Sequence, residues 1–251
     1  MQSPVFVLSS IRSGSTLLRC MLNTHPRICA PHELHLADLR VELGSPYVRF
    51  AMQPLALDVT EIEHLLWDRM LHHVLTQSGK DVIVDKTPGN LLLWRRLAAG
   101  WPGARYIFLI RNPSHILASA KSSKPVGHPV DQEQLIVTYL SALIEARLEL
   151  VGLTIRYEDL VSHPVETAKE LCDHLKVEWE PGMVNYGQAD HGPFQFGIGD
   201  FGDKIRTGRV LPGKPLTAGE VTECVRPHCD ALGYGDQQVQ PQDTTVGHEG
   251  A

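Results

Sequence analysis

Short apolar runs alternate with longer amphipathic stretches along most of the chain. Turn-forming residues bound the apolar runs, as is typical of strands buried on both faces of a parallel sheet, and the runs cover residues 5–8, 82–84, 106–110 and 153–155. Between them, apolar residues at three- and four-residue spacing predict helices over residues 16–23, 61–76, 91–99, 132–151 and 165–175. This alternation predicts an α/β fold with one parallel sheet flanked by helices.

The hydrophobic pattern fades near residue 235. Residues 236–251 are polar and contain little that a core could bury, so we expect a flexible tail after a single domain formed by residues 1–235. Two polar linkers, residues 122–129 and 187–215, are rich in turn formers and are candidate lids over an active site.

Charge and composition narrow the possible function classes. The 251 residues are 43% hydrophobic and 21% charged, as in ordinary globular proteins, and the formal net charge is -6. Such a chain is a poor general nucleic-acid binder, because binding to a phosphate backbone needs an excess of Lys and Arg over a broad face. Any site for an anion must therefore be local.

The cysteines and the hydropathy pattern indicate in which cellular compartment the protein is expected. Five cysteines are an odd number, and their spacing lacks the Cys-x-x-Cys pairs of a zinc site, so we expect free thiols in a reducing compartment. No apolar stretch approaches the ~18 residues of a membrane span, and the first strand-like run begins too early for a signal peptide. These features favour a cytoplasmic protein with no membrane partner.

The strongest chemical signal is residues 9–16, Ser-Ser-Ile-Arg-Ser-Gly-Ser-Thr, between the first predicted strand and helix. Backbone N–H groups at a helix start attract anions, Gly14 permits close approach, Arg12 adds a cation, and hydroxyls are added by Ser13, Ser15 and Thr16. A nucleotide triphosphatase would carry Lys where Ser15 stands, so this is a phosphate loop of another kind that does not obviously need magnesium. The alternative is a turn that merely caps a helix.

Cationic side chains follow two further predicted strands. Arg111 comes directly after the strand at 106–110, and Lys86 follows the strand at 82–84 within Asp-Lys-Thr-Pro. Ligands of open α/β sheets bind at the carboxyl ends of strands, so Arg111 is placed to meet a second phosphate. The alternative for both residues is a structural ion pair, with Asp85 or another nearby acid as the partner of Lys86.

These motifs, taken in order, resemble those of sulfotransferases that use 3′-phosphoadenosine 5′-phosphosulfate (PAPS), especially the bacterial and protein-tyrosine branches. Residues 12–16 are similar to their 5′-phosphosulfate loop, Arg-x-Gly-[Ser/Thr]-[Ser/Thr]. The resemblance spans about residues 4–235 and implies a P-loop-like sulfotransferase fold, with adenosine 3′,5′-bisphosphate (PAP) as product. It departs from the cytosolic animal pattern, in which Lys occupies the position of Arg12.

The resemblance also implies roles for individual residues. Arg111 and Ser119 match the spacing of the family's 3′-phosphate site, and Arg206 lies in an Arg-x-Gly segment that closes over the same phosphate. Tyr157, in Tyr-Glu-Asp-Leu, is expected near the adenine. Lys86 and Arg12 are expected to contact the transferred group. Without the resemblance, Tyr157 could equally be a core residue and Arg206 part of a solvated basic loop.

The candidate proton acceptors lie in Pro31-His32-Glu33-Leu34-His35. Glu33 stands where the related branches place a catalytic Glu, while His35 is a rival because imidazole titrates near neutral pH. His72 and His73, adjacent on a predicted helix, are a further alternative. The histidines at 32 and 35 lack the His-Glu-x-x-His spacing of a zinc site and no third ligand is evident, so we expect no metal.

The leading hypothesis is a sulfotransferase that moves a sulfuryl group from PAPS to a hydroxyl of a small-molecule or carrier-bound acceptor, for example in bacterial natural-product biosynthesis. A P-loop small-molecule kinase that uses ATP is one alternative, disfavoured by Ser15 in the position of the catalytic Lys. A non-catalytic nucleotide-binding module is the other, disfavoured by the combination of Arg12, Glu33 and Lys86. The sequence specifies neither the acceptor nor the oligomeric state.

Overall fold

A computed structural model describes residues 3–122, 131–200, 202–213 and 222–235. Within them, five parallel strands form one sheet in the order β2-β3-β1-β4-β5. The strands are β1 (Val5–Ser9), β2 (Ile28–Cys29), β3 (Val82–Asp85), β4 (Arg105–Ile110) and β5 (Gly152–Arg156). The predicted α/β fold is confirmed. Residues 123–130 and 236–251, which hold most of one predicted lid and the predicted tail, lie outside the described residues.

Helices surround the sheet, and each of the five predicted helical stretches overlaps one of them. They are α1 (Ser15–Thr24), α2 (Pro46–Met52), α3 (Val59–Ser78), α4 (Trp94–Gly100), α5 (Pro113–Lys121), α6 (Gln132–Glu149), α7 (Tyr157–Ser162), α8 (Pro164–Leu175), α9 (Asp203–Arg206) and α10 (Arg226–Ala231). Short 3₁₀ helices cover Leu36–Asp38, Gln53–Leu55, Pro88–Leu93, Pro181–Gln188 and Glu223–Val225. The helix predicted over 91–99 is thus divided into a 3₁₀ turn that has Pro88 at its start and the separate helix α4.

Alternate residues of each central strand enter two different hydrophobic cores. From β1, Phe6 and Leu8 pack on one face of the sheet with side chains of α3, α4, α5, α6 and α10. Val5 and Val7 pack on the other face with side chains of α1 and α8. Because β1 is buried on both faces, its sequence is a continuous apolar run rather than an alternating one. The helices cover both faces and leave the carboxyl ends of the strands open to loops.

The strand order identifies where a ligand should bind. The chain leaves β1 toward the β2 edge of the sheet and leaves β4 toward the β5 edge, so the connections diverge between two neighbouring strands. A crevice forms outside the carboxyl ends of strands at such a switch point. The predicted site residues Arg12, Lys86, Arg111 and Tyr157 all follow the ends of strands at this edge. No helix within the described ranges is long and apolar enough to cross a membrane.

Candidate active site

The loop after β1 has the shape of an anion-binding turn. Gly14, at the start of α1, adopts a left-handed conformation with φ 84°, and Arg12 also has a positive φ of 62°. A non-glycine residue in this region is strained and is often found at functional sites. The Ser13 hydroxyl is fully buried and has no hydrogen-bond partner in the described part of the chain. Since buried polar groups are normally paired, the loop is suited to a polar ligand.

Tyr157 packs directly against this loop. A Cβ atom added at Gly14 would overlap the Tyr157 ring, and the Arg111 guanidinium carbon lies 4.4 Å from the centroid of the same ring. Arg111 also donates a hydrogen bond to the Arg12 carbonyl at 2.8 Å, and Arg12 Nε donates to Ser119 Oγ at 3.3 Å. The structure therefore brings together the phosphate loop and three residues that were predicted from separate parts of the sequence: Arg111, Ser119 and Tyr157.

Replacing Gly14 by alanine tests this packing. We expect a cost of ~1–2 kcal/mol for the left-handed backbone and a further ~1–3 kcal/mol for the overlap with Tyr157. Gly79→Ala is the matched control, because Gly79 also has a positive φ, 64°, but nothing lies within 4 Å of an added Cβ. The free energy of unfolding from denaturant titration measures the difference, and equal losses in the two variants would contradict the packing.

Lys86 and Glu33 form a buried ion pair beyond the end of β3. The Lys86 side chain is completely buried, and its ammonium group contacts Glu33 Oε1. Burial lowers the pKa of Lys86, while the negative charge of Glu33 and its hydrogen bond oppose this shift. The charged lysine predicted for the transfer site is therefore present and is held next to the predicted base.

Asp85 is not the partner of Lys86 and instead shapes the end of the strand. Its carboxylate accepts hydrogen bonds from the Thr87 hydroxyl at 2.9 Å and from the Asn90 amide at 2.7 Å. Thr87 Oγ in turn accepts the N–H of Leu34 at 3.0 Å, so this network fixes the segment that carries Glu33. Burial raises the pKa of Asp85, and the two hydrogen bonds to its carboxylate oppose that shift. The Asp-Lys-Thr-Pro motif contains both the acceptor Asp85 and the donor Thr87 of this network, two residues apart.

Residues 197–200 of the predicted lid at 187–215 cover both sides of the site. Asp200 N–H donates to Thr16 Oγ at 2.9 Å, and the N–H of Glu33 donates to the Ile198 carbonyl at 3.4 Å. A Cβ atom added at Gly199 would lie 3.3 Å from Thr16 Oγ and 3.9 Å from Glu33 Oε1. The helix start that would bind phosphate and the predicted base therefore flank the same short segment.

His35 also contacts residues 197–200 of the predicted lid, which lie over the site. Its Nε2 donates to the Gly197 carbonyl at 2.5 Å and lies 3.7 Å from Glu33 Oε2. The ring is thus next to Glu33, but unlike Glu33 it does not contact Lys86 within the described structure. The preferred base and its rival therefore occupy different positions, Glu33 at the ion pair and His35 between Glu33 and Gly197.

The remaining candidates are Arg206 and the two histidines of α3. Arg206 ends α9, and its guanidinium donates to the Phe194 carbonyl at 2.7 Å, so its contact with a 3′-phosphate remains a prediction. His72 and His73 are both exposed on α3. Among the described residues, no three His, Cys, Asp or Glu side chains are grouped so that they could hold a metal ion.

Comparison with known proteins assigns the family. The model of the sulfotransferase family matches residues 4–181. The nodulation protein NoeE of Sinorhizobium fredii is 34% identical over 236 residues, covering 79% of this chain and 55% of that protein. A protein-tyrosine sulfotransferase of Drosophila melanogaster is 22% identical over 204 residues, covering 75% and 41% of the two chains. The chain spans about half the length of the curated relatives it matches.

Solved structures show the same fold. The sulfotransferase domain of the curacin biosynthetic pathway aligns with a TM-score of 0.65 at 24% identity, covering 93% of this chain and 98% of that one. The sulfotransferase domain of the Synechococcus PCC 7002 olefin synthase aligns with a TM-score of 0.58 at 22% identity, covering 93% and 96%. The family match and the similarity to NoeE show that the chain belongs to the sulfotransferase family.

Proposed function

We propose that this chain transfers a sulfuryl group from PAPS to a hydroxyl group. The observation that carries the proposal is the Lys86–Glu33 pair beside a phosphate loop that lacks the lysine of nucleotide triphosphatases. A cation and a carboxylate next to an anion-binding turn can neutralise a leaving group and remove a proton. This arrangement disfavours a purely nucleotide-binding module, and Ser15 disfavours a kinase.

The loop and the residues around it fit the two ends of PAPS. At the 5′ end, the N–H groups at the start of α1, the unpaired Ser13 hydroxyl, Thr16 and Arg12 would hold the phosphosulfate. At the 3′ end, Arg111 and Ser119 would hold the phosphate, with Arg206 as a third contact and Tyr157 near the adenine. PAPS supplies an activated sulfuryl group on a phosphate leaving group.

Glu33 is the general base in this proposal. Its Oε1 binds Lys86, which leaves Oε2 to accept the proton of the acceptor hydroxyl. Lys86 and Arg12 neutralise negative charge on the leaving phosphate oxygen and the transferred group, where a loose transition state needs it. Lys86 thus changes partner, from Glu33 in the free protein to the donor during transfer.

The acceptor and the setting are also proposals. The sulfotransferase domains of the curacin pathway and of an olefin synthase share this fold, which supports a small-molecule or carrier-bound hydroxyl in natural-product biosynthesis. All five cysteines are free, and four of them are buried, which favours a reducing compartment such as the cytoplasm.

Binding of PAP tests the proposed donor site. PAP should bind at least tenfold more tightly than AMP, because charge-assisted contacts of ~1.5–3 kcal/mol each are made only to the 3′-phosphate. The Arg111→Ala variant should lose most of this difference, whereas Arg95→Ala, which removes an exposed arginine on α4, should keep it. Isothermal titration calorimetry measures all six affinities, for PAP and AMP with each of the three proteins. Equal affinity of the unaltered protein for PAP and AMP would rule out the assigned 3′-phosphate site.

A further inference from the structure

The geometry points to a proton exit route from Glu33 through His35 to Asp38, which rests on the proposed function and assigns a role to Asp38. His35 Nε2 lies 3.7 Å from Glu33 Oε2, and His35 Nδ1 lies 3.7 Å from Asp38 Oδ2. Exposure of the side chains rises steadily along the line, from 0% at Lys86 to 12% at Glu33, 41% at His35 and 81% at Asp38. The route therefore connects the buried ion pair with bulk solvent.

The backbone holds the three side chains in this order. His35 has a left-handed φ of 50° and stands at the start of the 3₁₀ helix Leu36–Asp38. The N–H of Asp38 donates to the His35 carbonyl at 2.9 Å, and side chains three residues apart eclipse each other in a 3₁₀ turn. On the inner side, Thr87 Oγ accepts the N–H groups of Leu34 and His35 at 3.0 and 3.4 Å. The strand end that presents Lys86 thus also positions the His35 ring.

Glu33 needs such a route because only 12% of its side chain is exposed to solvent. Oε1 contacts Lys86, and residues Ile198 and Gly199 lie over the backbone and the carboxylate. Each transfer would leave one proton on Glu33, and the carboxylate must be restored before the next turnover. The side of Oε2 that faces His35 leads toward solvent.

The proton balance is complete without a further reactant. Glu33, as a carboxylic acid, gives its proton to Nε2 of a neutral His35 that carries its hydrogen on Nδ1. The Nδ1 proton passes to the Asp38 carboxylate or to water, which restores the Glu33 carboxylate and the neutral ring. Distances of 3.7 Å exceed a hydrogen bond, so each transfer requires a side-chain movement or a bridging water.

Gly197 acts as the gate of this route. A carbonyl oxygen only accepts hydrogen bonds, so Nε2 carries a hydrogen while it contacts Gly197 and cannot take a proton from Glu33. Residues 197–200 cover both Thr16 and Glu33, so they must move for products to leave. That movement breaks the hydrogen bond between His35 Nε2 and Gly197. The half-exposed imidazole ring can then exchange protons with water until its hydrogen is on Nδ1, so that the lone pair of Nε2 faces Glu33. Proton release is thereby coupled to product release.

The His35→Gln variant separates the route from the chemical step. Glutamine retains an N–H donor for the Gly197 carbonyl but cannot shuttle a proton. With PAPS and 2-naphthol, or the best acceptor from a mass-spectrometric screen, we expect an unchanged first turnover and a roughly tenfold slower steady state. Added imidazole should restore most of the steady-state rate. Asp38→Asn should show a smaller loss, also relieved by imidazole, and His163→Gln, at an exposed histidine at the start of α8, should show none.

Two results would overturn the route. If the first turnover falls as much as the steady state, His35 acts in the chemical step or in holding the cover, and if imidazole restores nothing, His35 does not carry protons. A third result would overturn both the proposed function and the route. It is the finding that the unaltered protein transfers no sulfuryl group from PAPS. Measurable turnover of the unaltered protein, combined with either failure in His35→Gln, overturns the route alone.

Discussion

Replacing Lys86 by alanine should reduce turnover at saturating substrates by ~10²–10³, because the lysine meets charge that develops only in the transition state. Binding of PAP should change little, since the 3′-phosphate contacts and the start of α1 remain. Single-turnover measurements report the chemical step, and calorimetry reports the affinity for PAP. A variant with normal saturated turnover and weakened PAP binding would show that Lys86 only binds the donor.

The buried pair adds a structural effect that must be separated from the chemical one. Lys86→Ala leaves the mostly buried Glu33 carboxylate without its cation, and such unpaired charges destabilise proteins by ~3–5 kcal/mol. The double variant Lys86→Ala with Glu33→Gln removes both charges and should regain part of that stability while remaining inactive. Lys169→Ala, on the exposed face of α8, is the control for loss of a lysine. It should change neither the turnover nor the free energy of unfolding.

The Glu33→Gln variant should lose ~10²–10⁴ in turnover with a weakly acidic alcohol, because no other group takes the acceptor's proton directly. The loss should be smaller with an acidic phenol, whose hydroxyl needs less help to ionise. PAP affinity should stay close to that of the unaltered protein, and Glu170→Gln, exposed on α8, should match the unaltered protein throughout.

The dependence on acceptor acidity distinguishes base catalysis from a packing defect. A defect in folding would lower the rates of all acceptors by a similar factor. Rates measured with a series of phenols of increasing acidity give the trend, and a uniform loss across the series would contradict the role of Glu33. A severe loss in His35→Gln at the first turnover, beside a nearly normal Glu33→Gln, would transfer the role to His35.

The fold was predictable where the sequence concentrates its signal. Strand β1 is buried on both faces, so it appears in the sequence as an apolar run. The loop after it combines Arg, Gly and hydroxyl residues, and this combination has few explanations other than an anion-binding turn. Strand β2 was not predicted because two residues, Ile28 and Cys29, are too few to form a pattern. Helix α7 was also missed, since six residues directly after β5 show no helical periodicity.

Site residues were predictable individually, but the contacts between them were not. The pairing of Lys86 with Glu33 joins residues 53 positions apart, and nothing local to either motif specifies it. The same applies to the Thr87 hydroxyl, which holds the segment that carries Glu33, and to Gly199, which lies against Thr16. Such contacts depend on how strands are ordered in the sheet, which the apolar runs alone do not determine.

The central claim is transfer of a sulfuryl group from PAPS by this chain, and mass spectrometry of two parallel reaction mixtures tests it most directly. The protein is incubated with PAPS and a panel of phenols, sugars and aliphatic alcohols, and in parallel with ATP, magnesium and the same panel. We expect an acceptor that gains one SO₃ group, PAP formed in equal amount, and ~10²–10³-fold slower product formation in the Lys86→Ala variant. Phosphorylated acceptor in the ATP mixture, with neither sulfated acceptor nor PAP in the other, would contradict the account.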